Sequence, residues 1–387
     1  MKEANRRALL RGGAAVGLTV VGAAACSTKE RKRAADGSFE RRMPAESRRH
    51  ERTFMAWPPS ESVWADVAED VQCDVAGIAR AVAEFELVVL LASPQEADAA
   101  RRACGEGVEV LPVAVDDLWM RDSGPTFVTG PHGMEGIDLN FNGWGGKQQH
   151  QHDARVARAV LAHADVPRVR APLTGEGGSL EVDGHGTLLA TESSLLNTNR
   201  NPGLTRRGAE TALRDLLGVT KVIWLKGVKG RDITDYHVDS LARFTDDGAV
   251  LLSRPPAGST VDVWTRAYDQ ADRVLRGATD ARGRRLETVD LPEPDPARLG
   301  RRGADFLGSY ANFYLVNGAV LMPHFGDRRA DRNAAAILRE LYPRRQVVAL
   351  DINTLAEGGG GIHCATQQQP AVAAPGRTSP PHPATTP

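Results

Sequence analysis

The sequence has 387 residues, enough for one large domain or two ordinary ones, and 48 Lys+Arg against 49 Asp+Glu leave a formal net charge of −1 at pH 7. That balance excludes the basic excess on which a nucleic-acid binder depends, so no nucleic-acid partner is expected. An enzyme or a small-ligand binder fits it better.

In chain order, Asn5-Arg6-Arg7 precedes an apolar, Gly/Ala-rich run from Gly12 to Ala25. The run is too short for a spanning helix but suits the apolar centre of an export signal. Residues 1–26 are therefore predicted as an export signal, and the paired arginines resemble a twin-arginine signal, which exports folded proteins. Ala23-Ala24-Ala25-Cys26-Ser27 has the form of a lipoprotein cleavage box with Cys26 as the lipid-bearing residue. A plain Ala-x-Ala cleavage site with an incidental cysteine is the alternative. Residues 27–50 are charged and poor in apolar side chains and read as a linker. Residues 51–370 read as the folded domain, and the Pro/Thr-rich residues 371–387 as a disordered tail.

Amphipathic helices are predicted at residues 63–84, 154–163, 206–217, 261–277 and 331–341. Each is followed by a β-rich run: 87–91, 168–171, 221–225, 286–291 and 346–350. Hairpin-like segments at 126–133, 179–186, 241–248 and 312–318 fill the gaps, each with a glycine-bearing turn such as Asp183-Gly184 or Asn317-Gly318. Five units of similar order predict propeller-like repetition with variable loops. An ordinary α+β domain is the other reading. Beyond Cys26, the chain has Cys73, Cys104 and Cys364. An odd number leaves at least one thiol free. Cys73 and Cys104 could pair, which spacing alone does not show; Cys364 would then be unpaired.

Cys364 ends the run Glu357-Gly-Gly-Gly-Gly-Ile-His363-Cys364. Glycines allow close approach of the backbone to a ligand, and a loop thiol there is a candidate nucleophile. A flexible hinge beside a buried cysteine is the plainer reading. Other polar residues stand where the hairpins begin: Trp119-Met-Arg-Asp122, Gly175-Glu176-Gly-Gly, Tyr236-His237-Val-Asp239 and Ser309-Tyr-Ala-Asn312. Taken singly, Asp122 reads equally as an N-cap or an Arg121 partner, Glu176 as a loop carboxylate, and His237 as a satisfied core histidine. A radial fold would gather all of them with Cys364 at one end of its axis. His237 and Asp239 alternate, so on a strand they would face the same way. Several carboxylates around a thiol repel acidic substrates and raise the thiol pKa unless a cation stands close. A guanidinium meets both conditions, donating its planar fork to two carboxylates while its carbon faces the sulfur.

With these residues the sequence resembles the agmatine deiminase family, grouped with the bacterial-type peptidylarginine deiminases among guanidine-modifying enzymes. The resemblance runs from about Thr53 to Pro370. It rests on Met55-Ala-Trp-Pro58, Trp119-Met-Arg-Asp122-Ser-Gly-Pro-Thr, Phe141-Asn-Gly-Trp-Gly-Gly146, Gly175-Glu-Gly-Gly178, His237-Val-Asp239, Ser309-Tyr-Ala-Asn-Phe-Tyr314 and Gly358-Gly-Gly-Gly-Ile-His-Cys-Ala-Thr-Gln367. It implies a five-bladed α/β propeller of ββαβ repeats, the pentein fold, with residues 51–370 as the deiminase domain. It further implies Cys364 as nucleophile, His237 as general acid–base, Asp122 and Asp239 as the guanidinium clamp, and Trp119, Glu176 and Asn312 near the substrate. No metal or organic cofactor is implied. The expected reaction converts agmatine to N-carbamoylputrescine and ammonia; citrulline formation from free or peptidyl arginine is the alternative. Tyr236 departs from the glycine that precedes the histidine in many relatives, which would reshape the pocket. Three other readings compete. The first is a cysteine peptidase using Cys364, His237 and Asp239, and the second an exported guanidine-binding lipoprotein without turnover. The third is a metal protein on His237, Asp239, His324 and Asp327, which lacks standard ligand spacing. Oligomeric state is left open.

Overall fold

Helix Ala68–Ala83 buries Val71, Val75, Ile78, Ala79 and Val82, the spacing that turns one face of a 3.6-residue helix inward. The same logic builds four more helices over short sheets. They belong to a computed structural model that describes residues 41–130, 133–256 and 258–372.

The described strands form five small sheets. The first contains β1 (His50–Ala56), β2 (Leu87–Ala92) and β3 (Val108–Pro112); the second β4 (Thr126–Gly130), β5 (Gly133–Asp138) and β6 (Arg168–Arg170). The third contains β7 (Glu181–Val182), β8 (Thr187–Thr191) and β9 (Lys221–Leu225). The fourth contains β10 (Ala242–Phe244), β11 (Val250–Arg254) and β12 (Thr288–Pro292); the fifth β13 (Tyr314–Val316), β14 (Ala319–His324) and β15 (Gln346–Asp351). In sheets two to five an antiparallel hairpin is followed by a strand parallel to its second member. Parallel pairing needs a crossover, which helices Val156–His163, Arg206–Leu217, Val263–Gly277 and Arg328–Leu341 supply in turn. The first sheet follows the same plan, but the antiparallel partner of β1 is β16 (Thr366–Pro370), the last described strand. Five ββαβ blades result, closed into a ring by strands from opposite ends of the domain. The middle strands are covered on both faces and read as near-continuous apolar runs, as in Leu87–Ala92 and Ala319–His324.

Several expectations are corrected. Helix Ala97–Cys104 and β3 were not foreseen; they extend the first blade by one parallel strand. The strand expected at 286–291 runs from Thr288 to Pro292. Cys73 and Cys104 are both free, the first exposed and the second buried. Burial pushes the Cys104 thiol up to about 11. The expected export signal with Cys26, residues 27–40, residues 131–132 and 257, and residues 373–387 lie outside the described residues.

The linker expectation fails over residues 41–50. Arg41 is buried against Glu135, Arg42 bridges to Thr129, and Met43 N donates to Leu217 O. Glu46 meets Arg243 and Leu315, and Ser47 O accepts from Arg345. His50 already belongs to β1. Successive residues thus touch the second, third, fourth and fifth blades before entering the first. High charge did not mean solvation for Arg41 and Glu46, which find partners in the body, whereas Arg42, Arg48 and Arg49 are exposed. Ala371, expected in the tail, donates its N–H to Arg49 O.

Candidate active site

Each blade receives the chain at the axis through a short non-strand segment. Helix Met120–Ser123 precedes β4, and 3-10 turns Gly177–Ser179, Val238–Ser240 and Tyr310–Asn312 precede β7, β10 and β13. The glycine run leads through Cys364 into β16. The sequence candidates sit at these five equivalent places, so ring closure gathers them.

Cys364 is buried, its Sγ 3.2 Å from Asn312 Nδ2 and 3.7 Å from Asp239 Oδ2. Its N–H donates to Asn312 Oδ1 at 3.2 Å, and its carbonyl accepts from Arg121 N at 3.0 Å. Asn312 therefore seats the thiol from two sides. The glycines are required by packing: a Cβ on Gly361 would stand 2.7 Å from Asn312 Oδ1, and one on Gly360 2.2 Å from the Trp119 ring. Trp119 lines the glycine approach and packs at 6.0 Å on Trp64.

His237 is buried, with Nε2 3.3 Å from Glu176 Oε2 and Nδ1 3.6 Å from Asp122 Oδ1. It enters a 3-10 turn rather than a strand, so period-two alternation is not what brings His237 and Asp239 together. The tight turn does this instead, aided by positive φ at Asp235 and Tyr236 just before it. Asp122 accepts from the Trp144 indole at 2.8 Å and from Gly178 N at 3.1 Å. Trp144 reaches it from a glycine-flanked bend in which its own φ is 54°. A Cβ on Gly178 would lie 2.6 Å from His237 Nδ1 and 3.0 Å from both Asp122 Oδ1 and Asp239 Oδ2. That point marks where the three side chains converge. His237 Nδ1 and Asp239 Oδ1 are buried without a hydrogen-bond partner. Buried polar atoms are nearly always paired, and unpaired ones point to a ligand site.

Glu176 lies against the imidazole. It is fully buried, with Oε1 2.7 Å from Arg200 Nε and Oε2 on His237. Arg200 in turn holds Asp235 at 2.7 Å, and Asp235 also meets Lys147. Glu176 thus orients and charges the imidazole from behind.

The electrostatics follow. Burial opposes a charged His237, but Asp122, Glu176 and Asp239 outweigh it and raise its pKa to about 9. The Cys364 thiol is pushed well above its usual range by burial and by Asp239 and Asp122. Asp122 is raised by burial and by Glu176 and Asp239. Burial also disfavours the Asp239 carboxylate, yet His363, His237 and Arg243 hold it below its usual value. Glu176 is lowered in the same way by His237 and Arg200 against burial. The free site therefore pairs a neutral thiol with an imidazolium, inside an acidic ring suited to a cation.

Among the described residues no cluster of three His, Cys, Asp or Glu side chains is arranged to hold a metal. His324 pairs with Asp331, and Asp327 caps helix Arg328–Leu341, so the alternative metal set is not assembled. Tyr236 packs edge-on to Trp264 at 5.0 Å and lines a cavity of about 640 Å³ next to the site, with Ser240, Ser309 and Gly359 in the same wall. Sequence reasoning missed Arg200, His363, Arg243 and Glu46, and gave Trp144 no role. Trp144 stood in a quoted glycine-rich motif and His363 beside Cys364 in another; the others act through partners far away in sequence.

The sequence profile of the Porphyromonas-type peptidyl-arginine deiminase family matches residues 42–370. A relative from Streptomyces coelicolor is 42% identical over 342 residues, 85% of this chain and 98% of its own length. The agmatine deiminase of Stutzerimonas stutzeri is 40% identical over 353 residues, 85% of this chain and 95% of its own. Among solved structures, agmatine deiminase of Enterococcus faecalis aligns with a TM-score of 0.80 at 32% identity, over 86% of this chain and 96% of that one. A C. jejuni agmatine deiminase with substrate bound aligns at 0.76 and 25% identity, over 85% and 96%.

Proposed function

Because the chain belongs to the Porphyromonas-type peptidyl-arginine deiminase family, a group of hydrolases acting on amidine C–N bonds, we propose that it is an agmatine deiminase, converting agmatine to N-carbamoylputrescine and ammonia. The observation that carries this reading is the convergence of Cys364, His237, Asp122 and Asp239 around one point.

In this mechanism the guanidinium lies between Asp122 and Asp239, which accept its N–H groups, with its carbon facing Cys364 Sγ. The bound cation supplies the positive charge that the raised thiol lacks, favouring the thiolate only when substrate is present. Sulfur attacks the guanidinium carbon, and the imidazolium of His237 protonates the departing nitrogen from its unpartnered Nδ1. The S–C bond forms, the C–N bond breaks, His237 is left neutral, and the proton lost by the thiol departs with the ammonia as ammonium. A cationic thiouronium remains on Cys364. His237 next takes a proton from water, whose oxygen attacks the same carbon. The S–C bond breaks and the sulfur leaves as thiol. The sum is guanidinium and water to ureido product and ammonium.

Free or peptidyl arginine giving citrulline is the second reading, favoured by the cavity beside Tyr236, which would admit a bulkier substrate arm. Export through residues 1–26, with Cys26 as a lipid anchor, would suit such a substrate. An exported guanidine-binding protein without turnover is the reading from outside catalysis. Ammonia and ureido product measured with agmatine, free arginine and arginyl peptides side by side test all three. A kcat/KM for agmatine below those for arginine and the peptides would displace the first reading, and tight binding with no ammonia would displace both enzymatic ones.

A further inference from the structure

Glu46 takes no part in the chemistry above, yet it reaches the axis beneath it. Its side chain is 9% exposed. Oε2 lies 2.8 Å from His363 Nε2 and 3.4 Å from Arg121 Nη2; Oε1 accepts from Arg243 Nη2 at 2.8 Å and from Leu315 N at 2.9 Å. The other ring nitrogen of His363, Nδ1, stands 2.7 Å from Asp239 Oδ2. An imidazole is thus held between two carboxylates, one in the N-terminal strap and one in the active site.

A ring nitrogen facing an ionised carboxylate must donate a proton, because its lone pair would otherwise oppose the oxygen. His363 satisfies Glu46 and Asp239 together only as a two-way donor. Around the same ring, Glu46, Glu181 and Asp239 stand against Arg121 and Arg243. Backbone ties extend the same unit to the nucleophile: Arg121 Nε donates to His363 O, and Arg121 N to Cys364 O. Without Glu46, Nε2 of His363 loses its acceptor and the ring can turn. Asp239 then loses the partner that holds its Oδ2 3.7 Å from Cys364 Sγ.

We propose that Glu46 is a positioning residue for the guanidinium clamp: acting through His363, it fixes Asp239 beside Cys364. The inference rests on the deiminase reading, and its test separates the two. Cys364 is labelled with cationic 2-chloroacetamidine and with neutral iodoacetamide in the full chain and in Glu46→Gln, alongside kcat/KM for agmatine and thermal melting. Glu46→Gln keeps the shape and loses the charge. Chloroacetamidine labelling and kcat/KM are expected to fall by about ten- to a hundredfold, the cost of a misplaced clamp, while iodoacetamide labelling of the folded variant stays near wild type. Glu46→Asp, which keeps the charge on a shorter arm, is expected to fold and fall between the two. It supplies the measurement if Glu46→Gln does not accumulate folded protein. A ratio of cationic to neutral labelling unchanged in either folded variant overturns the proposal, as does a parallel fall of both rates with early melting. No preference for the cation in the unaltered protein would refute the clamp itself, and the deiminase reading with it.

Discussion

Replacing Glu176 by Gln tests how the imidazole is tuned. His237 is raised from 6.5 to about 9 against burial by Asp122, Glu176 and Asp239. That net shift corresponds to about 3 kcal/mol favouring the imidazolium. Glu176 supplies one of those three charges and the contact with Nε2 at 3.3 Å. An opposite charge at such range typically moves a pKa by about 1–3 units, so the amide should lower the His237 pKa by about that much. Arg200 keeps Asp235 as its partner in the variant, and the fold should persist. The assay is ammonia release from agmatine across pH 6–10. The basic limb of kcat/KM reports groups of the free enzyme; it should fall near pH 9 in the unaltered protein and about one to three units lower in Glu176→Gln. The sign for stability is the same. A raised imidazole contributes fully below its unfolded pKa of about 6.5, and the contribution is lost as pH rises through the folded value. Unaltered protein should lose it up to about pH 9, and the variant should have lost it sooner. A basic limb that does not move in folded Glu176→Gln would refute this account of His237.

Asp122→Asn and Asp239→Asn should each collapse kcat/KM for guanidines while the protein stays folded, since each leaves a desolvated cation short of a counter-charge at a cost of about 2–5 kcal/mol; near-normal activity in either would reject the clamp. Gly178→Ala should abolish turnover, because its methyl would stand 2.6 Å from His237 Nδ1 at the convergence point; an active, folded variant would mean the guanidinium lies elsewhere. Cys364→Ser should eliminate turnover at nearly constant volume. In the unaltered protein, iodoacetamide alkylation of Cys364 should keep accelerating above pH 9, as the raised thiol requires; a plateau near neutrality would contradict that. Replacing Arg6 and Arg7 by Lys should hold the precursor in the cytoplasm, which fractionation and immunoblotting would show, and unchanged export would point to another route.

The sequence made the repeat legible wherever local signals agreed. Helix Arg206–Leu217 and β9 have the predicted bounds because Thr205 caps the helix start and Gly218, at φ 66°, stops it. Helix Ala97–Cys104 escaped because it buries only Ala97, Ala100 and Cys104 and carries no strong apolar stripe. The places of Cys364, His237, Asp122, Asp239 and Asn312 were legible because each precedes a blade's first strand. What each side chain touches was not. Glu176, expected near substrate, meets Arg200 with one oxygen and His237 with the other. Glu46 looked like part of a charged linker because its partners, Arg243 and His363, come from distant blades.

A ribosome delivers β1 before any other described strand and β16 after all of them. Their pairing therefore waits for nearly the whole domain, a contact of high sequence separation that is intrinsically slow to form. The segment carrying Cys364 is the one that completes this pairing. Chains interrupted before Thr366 have an open first blade and no seated thiol, whatever the other blades have done. Ring completion and the seating of Cys364 against Asn312 thus come together, late in synthesis.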